Sequence, residues 1–182
     1  ALYGTVLGSL LGGWPTDRFG RKPTLLFVGV LYVLSAVGCG FANGVGMFIA
    51  ARFIGGLGIG ISTIAAPLYI SEIAPPKYRG RLAGMFQFNI VFGIVIAFLS
   101  NALLAGIGEN AWRWMLGVLA IPSIIYTIMV MSVPESPRWL VTKRNDLAQA
   151  KETLLLIGVE DADAEIASII KSNQHESQKK KK

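Results

Sequence analysis

Four long apolar runs constrain this chain more than anything else in its 182 residues. Thr24 to Asn43 is 20 residues without a charge, Leu82 to Ala105 is 24, and Met115 to Val133 is 19. Gly46 to Ser71 is 26 residues with one charge, Arg52. An α-helix rises about 1.5 Å per residue, so roughly 20 residues cross the 30 Å or so of bilayer hydrocarbon. Only 15% of the residues are charged, against about 25% in a typical soluble domain. The apolar residues are blocked together instead of recurring every third or fourth position. The reading is an all-α integral membrane protein in contact with a lipid bilayer.

Ala1 to Trp14 is also apolar, but at 14 residues it is too short to span, and no basic segment precedes it as in a signal peptide. It is read as a span whose beginning has been cut away, giving five spans with the first truncated. The net charge of +6 on its own would suggest a nucleic acid partner, but the placement of the bases argues against one. Fifteen of the 17 Lys and Arg residues fall on one side of the expected topology. They are Arg18, Arg21 and Lys22, then Lys77, Arg79 and Arg81, then the nine from Arg138 to Lys182. Membrane proteins keep such residues on the cytoplasmic side. The chain is therefore expected to start outside and to end inside a plasma or inner membrane.

Residues 1–139 are assigned to the membrane helices. Residues 140–170 form a cytoplasmic helical segment in which Asn145 and Asp146 cap a helix carrying Leu147, Ala150, Leu154 and Ile157, ended by Gly158. Residues 171–182 are expected to be a disordered polar tail. Cys39 stands alone, which excludes an intrachain disulfide and a thiolate metal site. His175 is the single His and lies in the tail, and no nucleophile or metal constellation appears. Neither an enzyme nor a cofactor is indicated.

Glycines recur every fourth residue at Gly4, Gly8 and Gly12, and again at Gly56 and Gly60. In lipid, small residues at that spacing let helix backbones approach closely. A nucleotide loop is the competing reading of Gly55 to Gly60, but no G-x-G-x-x-G register fits and the stretch lies inside an apolar run.

The segment Gly13-Trp-Pro-Thr-Asp17-Arg18-Phe-Gly20-Arg21-Lys22 sets one acid, three bases and a turn-permitting glycine between two spans. It resembles the signature between the second and third helices of the major facilitator superfamily. Three further segments resemble those of its sugar porter family: Arg52-Phe-Ile-Gly-Gly56-Leu-Gly58-Ile-Gly60; Pro67-Leu-Tyr69-Ile-Ser71-Glu72-Ile-Ala-Pro75 running to Arg79-Gly80; and Pro134-Glu135-Ser136-Pro137-Arg138-Trp139. The resemblance covers the chain to about Gly158. It implies helices two to six of twelve, part of the N-terminal six-helix half, without the first helix and the C-terminal half that would be their partners.

It also implies function. A sugar porter carries a monosaccharide, hexose or pentose, by alternating access, as a symporter or a uniporter. A carrier of another organic solute and a non-transporting sugar sensor or fragment remain alternatives. The resemblance makes Asp17, Arg18, Arg21, Glu72, Arg79, Glu135 and Arg138 a cytoplasmic charge network that closes the inside in the outward-facing state; the competing reading is topology alone. Arg52, roughly 9 Å deep by helix rise, is either a functional intramembrane charge or a side chain snorkelling outward. In proton-coupled relatives the matching Arg faces an Asp of the first helix. Gln87 resembles the fifth-helix Gln that bonds sugar hydroxyls; an amide supplies donor and acceptor together, and helix–helix bonding is its rival role.

Overall fold

The computed structural model describes residues 1–75 and 77–179, without the side chains of residues 176 and 179. Among these no strand forms, and every element is helical. α1 (Leu2–Leu11) and α2 (Gly13–Phe19) continue one another through Gly12, whose angles stay helical at φ −62° and ψ −26°. The interruption follows from Pro15, which has no N–H for the Leu11 carbonyl. The helix outlasts the apolar run: Thr16, fully buried, donates its hydroxyl to the Gly12 carbonyl at 2.6 Å, and α2 carries Asp17 and Arg18 on to Phe19.

α3 (Arg21–Gly40), α4 (Val45–Ile73), α5 (Arg79–Leu104), and α6 (Ala111–Gly117) with α7 (Ala120–Ser132) follow. Their lengths and compositions suit membrane crossing, with α6 and α7 counted together. They match the four apolar runs, extended at their ends by residues such as Arg21 and Glu72 that hydropathy alone would leave outside. α6 and α7 part at Val118 and Leu119 because Pro122 cannot donate to the Val118 carbonyl, which instead accepts from Ile121 at 3.1 Å.

α4 packs on α1 through one face and on α3 through another. Gly8 and Gly60 make the first contact backbone to backbone: a methyl on Gly8 would overlap the Leu57 carbonyl oxygen, and one on Gly60 the Thr5 carbonyl oxygen. On the second face, Gly55 receives Ser35 and Gly58 receives the ring of Tyr32. The small-residue spacing therefore serves helix packing, as the sequence indicated. α3 in turn packs on α6 and α7, and Leu25, Ala65, Tyr69 and Val130 are buried where α3, α4 and α7 meet. α5 has no buried residue.

Beyond the last span, Ser136 caps α8 (Pro137–Trp139), accepting from the Trp139 N–H at 3.3 Å. A π-turn over Leu140–Arg144 follows, ended by Asn145 in the left-handed region. α9 (Leu147–Leu156) is capped by Asp146, which accepts from the Gln149 N–H at 3.0 Å. α10 (Ala162–Lys179) folds back to bury Ala162 and Ile166 against Trp139, Leu140, Ala150 and Leu154. Part of the tail expected to be disordered, residues 171–179, is thus helical here, while residues 180–182 lie outside the described residues. α10 contains neither Gly nor Pro and has Asp163 and Glu165 in its first turn, where acids complement the helix dipole.

Candidate functional site: an ion cluster at the basic end of the bundle

Three helix ends converge where the basic loops lie. Gly20 turns the chain from α2 into α3 with φ of 106°, a conformation that disfavours any residue with a Cβ, and a methyl there would overlap the Glu135 carboxylate. The first helical N–H groups of α3 lack intrahelical acceptors. Glu135, from the segment after α7, supplies them: its carboxylate accepts from Arg21 N–H at 3.1 Å and from Lys22 N–H at 3.1 and 3.2 Å. Pro23 comes next and has no N–H to satisfy. Glu135 also accepts from the Ser136 N–H at 2.8 Å. A carboxylate at this position further complements the positive end of the α3 dipole.

Arg21 then reaches across to α4. Its Nε and Nη2 each donate to a different oxygen of Glu72 at 2.9 Å, a two-pronged pair, with side-chain exposures of only 9% and 5%. Nη1 donates to the Thr16 carbonyl at 3.2 Å and lies 3.4 Å from the Asp17 carboxylate. The Ser136 hydroxyl, fully buried, donates to Glu72 as well. Taking a charge out of water costs several kcal/mol, roughly, unless its hydrogen-bonding positions are filled. Here Glu72, Thr16 and Asp17 meet the Arg21 guanidinium, and Arg21 and Ser136 meet the Glu72 carboxylate. Around this pair, the Tyr69 hydroxyl donates to the Pro134 carbonyl at 2.7 Å and Trp139 Nε1 to the Asp17 carbonyl at 3.0 Å. The result is a clamp on α2, α3, α4 and the segment leaving α7.

The other charges read from the sequence surround this core. The Asp17 carboxylate is 62% exposed. Arg18 is exposed, with its guanidinium over the Trp14 ring at 5.1 Å. Arg79 opens α5 and is exposed, and Arg138 is exposed on α8. Arg52 lies elsewhere, on α4 one turn beyond Phe48, whose ring centroid is 6.0 Å from the guanidinium. It lines a cavity of about 220 Å³ together with Tyr32, Ser35, Cys39, Gly55 and Ser123. Gln87 is exposed on α5, the helix with no buried residue.

A family model described as "Sugar (and other) transporter" matches residues 1–182. The chain belongs to that transporter family. This sugar transporter family chain is 42% identical over 156 residues to the arabinose-proton symporter of Escherichia coli strain K12, covering 86% of this chain and 32% of that protein. It is 39% identical over 163 residues to the galactose-proton symporter of the same strain, covering 90% and 34%. It superposes on the xylose transporter XylE from E. coli, in a partially occluded inward-open conformation, with a TM-score of 0.88 at 32% identity, covering 96% of this chain and 46% of that one. A second XylE structure, described as a major facilitator superfamily proton:xylose symporter, matches equally at 0.88 and 33% identity. The fold is thus that of the N-terminal half of such a transporter, and the family and these relatives are transporters, not enzymes. The chain spans about a third of the length of these curated relatives.

Of the seven charges expected to form a network, Asp17, Arg21, Glu72 and Glu135 come together in the clamp, joined by Thr16, Tyr69 and Ser136, which were not among the residues expected there. Ser136 stood inside a quoted motif, and its spacing of three residues from Trp139 is the signal of a helix cap that was available. Glu135 caps α3, while Asp17, near the end of α2, lies 3.4 Å from the Arg21 guanidinium.

Proposed function

We propose that this protein carries a monosaccharide, hexose or pentose, across a plasma or inner membrane by alternating access, as one part of a transporter of its relatives' length. The observation that carries the reading is the whole-chain family match, borne by a chain whose basic helix ends are clamped through Arg21, Glu72 and Glu135. A clamp among α2, α3, α4 and the exit of α7 makes those ends move as one body. Alternating access needs such a body, rocking against a second one around a site near the midplane. The exposed charges Asp17, Arg18, Arg79 and Arg138 are then the groups that pair with the C-terminal half when the inside is closed. A few kcal/mol, roughly, decides between two such states. The basic loops and the polar tail lie on the cytoplasmic side, by the bias of Lys and Arg.

Proton symport is favoured over uniport by the relatives named above, all described as symporters or as the transporter XylE. Arg52, lining a cavity with Tyr32 and Ser35, is the intramembrane charge nearest to such a role, and Gln87, exposed on α5, is the sugar contact. The test is uptake of labelled pentoses and hexoses by the full-length protein in sealed vesicles, with and without a proton gradient acid on the outside. Saturable uptake driven by the gradient is expected. Uptake that ignores the gradient would make it a uniporter; transport of another organic solute with no sugar carried would overturn the sugar reading.

A further inference from the structure

At the basic end, outside the clamp, Trp14, Asp17, Arg18, Trp139, Lys143 and Arg144 enclose an open cleft of about 590 Å³. Arg18 is held at its rim by the Trp14 and Phe19 rings, at 5.1 and 5.8 Å. Lys143 and Arg144 are delivered by the π-turn, whose end is fixed by the Asp146 N–H donating to the Leu140 carbonyl at 3.0 Å. Among the described residues neither has a carboxylate within ion-pair distance, and both are exposed. The single acid in the lining, Asp17, is already 3.4 Å from Arg21. The cleft therefore offers three cations against one exposed carboxylate that is shared with Arg21, a net positive lining.

Trp14 is also a wall of a second groove of about 700 Å³, whose lining includes Leu11, Phe19, Phe27 and Ile61 and is almost wholly apolar. That groove runs along the outside of α1, α2 and α3, with Leu11, Phe19 and Phe27 all exposed. One indole thus joins a cationic cleft at the end of the span to an apolar groove beside it, at the depth where Trp partitions into the headgroup zone.

We propose that the two together hold one anionic phospholipid of the leaflet at the basic end: its phosphate among Arg18, Lys143 and Arg144, and an acyl chain in the groove beyond Trp14. A soluble anion would fill the cleft and leave the groove empty. A zwitterionic lipid would bring its own ammonium to a lining of three cations and the single carboxylate of Asp17, and so leave the excess positive charge unmet. Only a headgroup with net negative charge on an acyl chain satisfies both surfaces. The proposal requires membrane insertion but not the sugar reading.

The test uses the full-length protein in phosphatidylcholine vesicles containing a minor fraction of brominated lipid, and reads Trp14 quenching as the difference from a Trp14→Phe variant. Brominated phosphatidylglycerol should quench more than brominated phosphatidylcholine. The preference should fall about fivefold per cation removed, in Arg18→Gln and in Lys143→Gln/Arg144→Gln, and should survive Lys171→Gln. Equal quenching by the two headgroups would overturn it, and this arm leaves every cation of the cleft in place. So would an unchanged preference in the double variant, or its loss on adding inorganic phosphate at constant ionic strength, which would mark a site for soluble anions.

Discussion

Glu135 accepts the N–H groups of Arg21 and Lys22 from 114 and 113 residues further along the chain. The carboxylate that follows the last span therefore caps the start of α3, and Gly20 is what lets it come so close. Charge, helix dipole and backbone conformation meet at one point, and each can be removed separately.

Removing the buried acid of the Arg21 pair isolates the electrostatic part. Glu72→Ala leaves the Arg21 guanidinium buried with only the Thr16 carbonyl and the exposed Asp17 to meet it. A loss of about 3–5 kcal/mol is expected, read as a lowered melting temperature of the purified full-length protein. An unchanged melting temperature would show that the pair is not buried in the intact transporter.

Glu135→Gln keeps the size and one acceptor oxygen but removes the charge facing α3. We expect the outward-facing population to fall by an amount corresponding to about 1 kcal/mol, the scale of a charge at a helix terminus. Labelling of single cysteines placed on either side of the membrane reads this directly. The same labelling pattern in variant and parent would sink the switching role.

Gln87 is exposed on a helix with no buried residue, so its loss touches nothing the fold rests on. Gln87→Ala should weaken sugar binding by about tenfold, the worth of one or two hydrogen bonds. Calorimetric titration of the intact protein measures it, with helicity as the control. Undiminished affinity would return Gln87 to a packing role.

Gly60→Leu must push α1 away from α4, because a side chain there enters the Thr5 carbonyl and the Gly8 backbone. Overpacking of this kind is expected to remove about 1–3 kcal/mol, whereas Gly46→Leu, with nothing within 4 Å, should be silent. Thermal melts of the two variants side by side make the comparison.

The spans were legible because run length is a direct image of bilayer thickness, and the basic loops because each lies next to a run end. The ends were harder. Thr16 looks polar in sequence but folds its hydroxyl back onto Gly12, so the helix continues where hydropathy stops. Ser136 carries no charge and reveals its place only when Glu72, 64 residues away, comes beside it. Gln87 could be singled out as an amide in an apolar helix, and it is exposed on the one long helix that buries nothing among the described residues.

The long sequence separations within the clamp also set a timetable. Arg21 leaves the ribosome 51 residues before Glu72 and 114 before Glu135. At translation speeds of about 5–20 residues per second, that is roughly 3–10 seconds and 6–23 seconds. Until Glu72 arrives the Arg21 guanidinium has only Asp17 beside it, and until Glu135 arrives the Arg21 and Lys22 N–H groups have no acceptor, so this end of the bundle stays wet while later helices enter the bilayer. The clamp closes only on the last of them, and a chain halted before Pro134 would hold the Arg21–Glu72 pair without the Ser136 hydroxyl and α3 without its capping carboxylate.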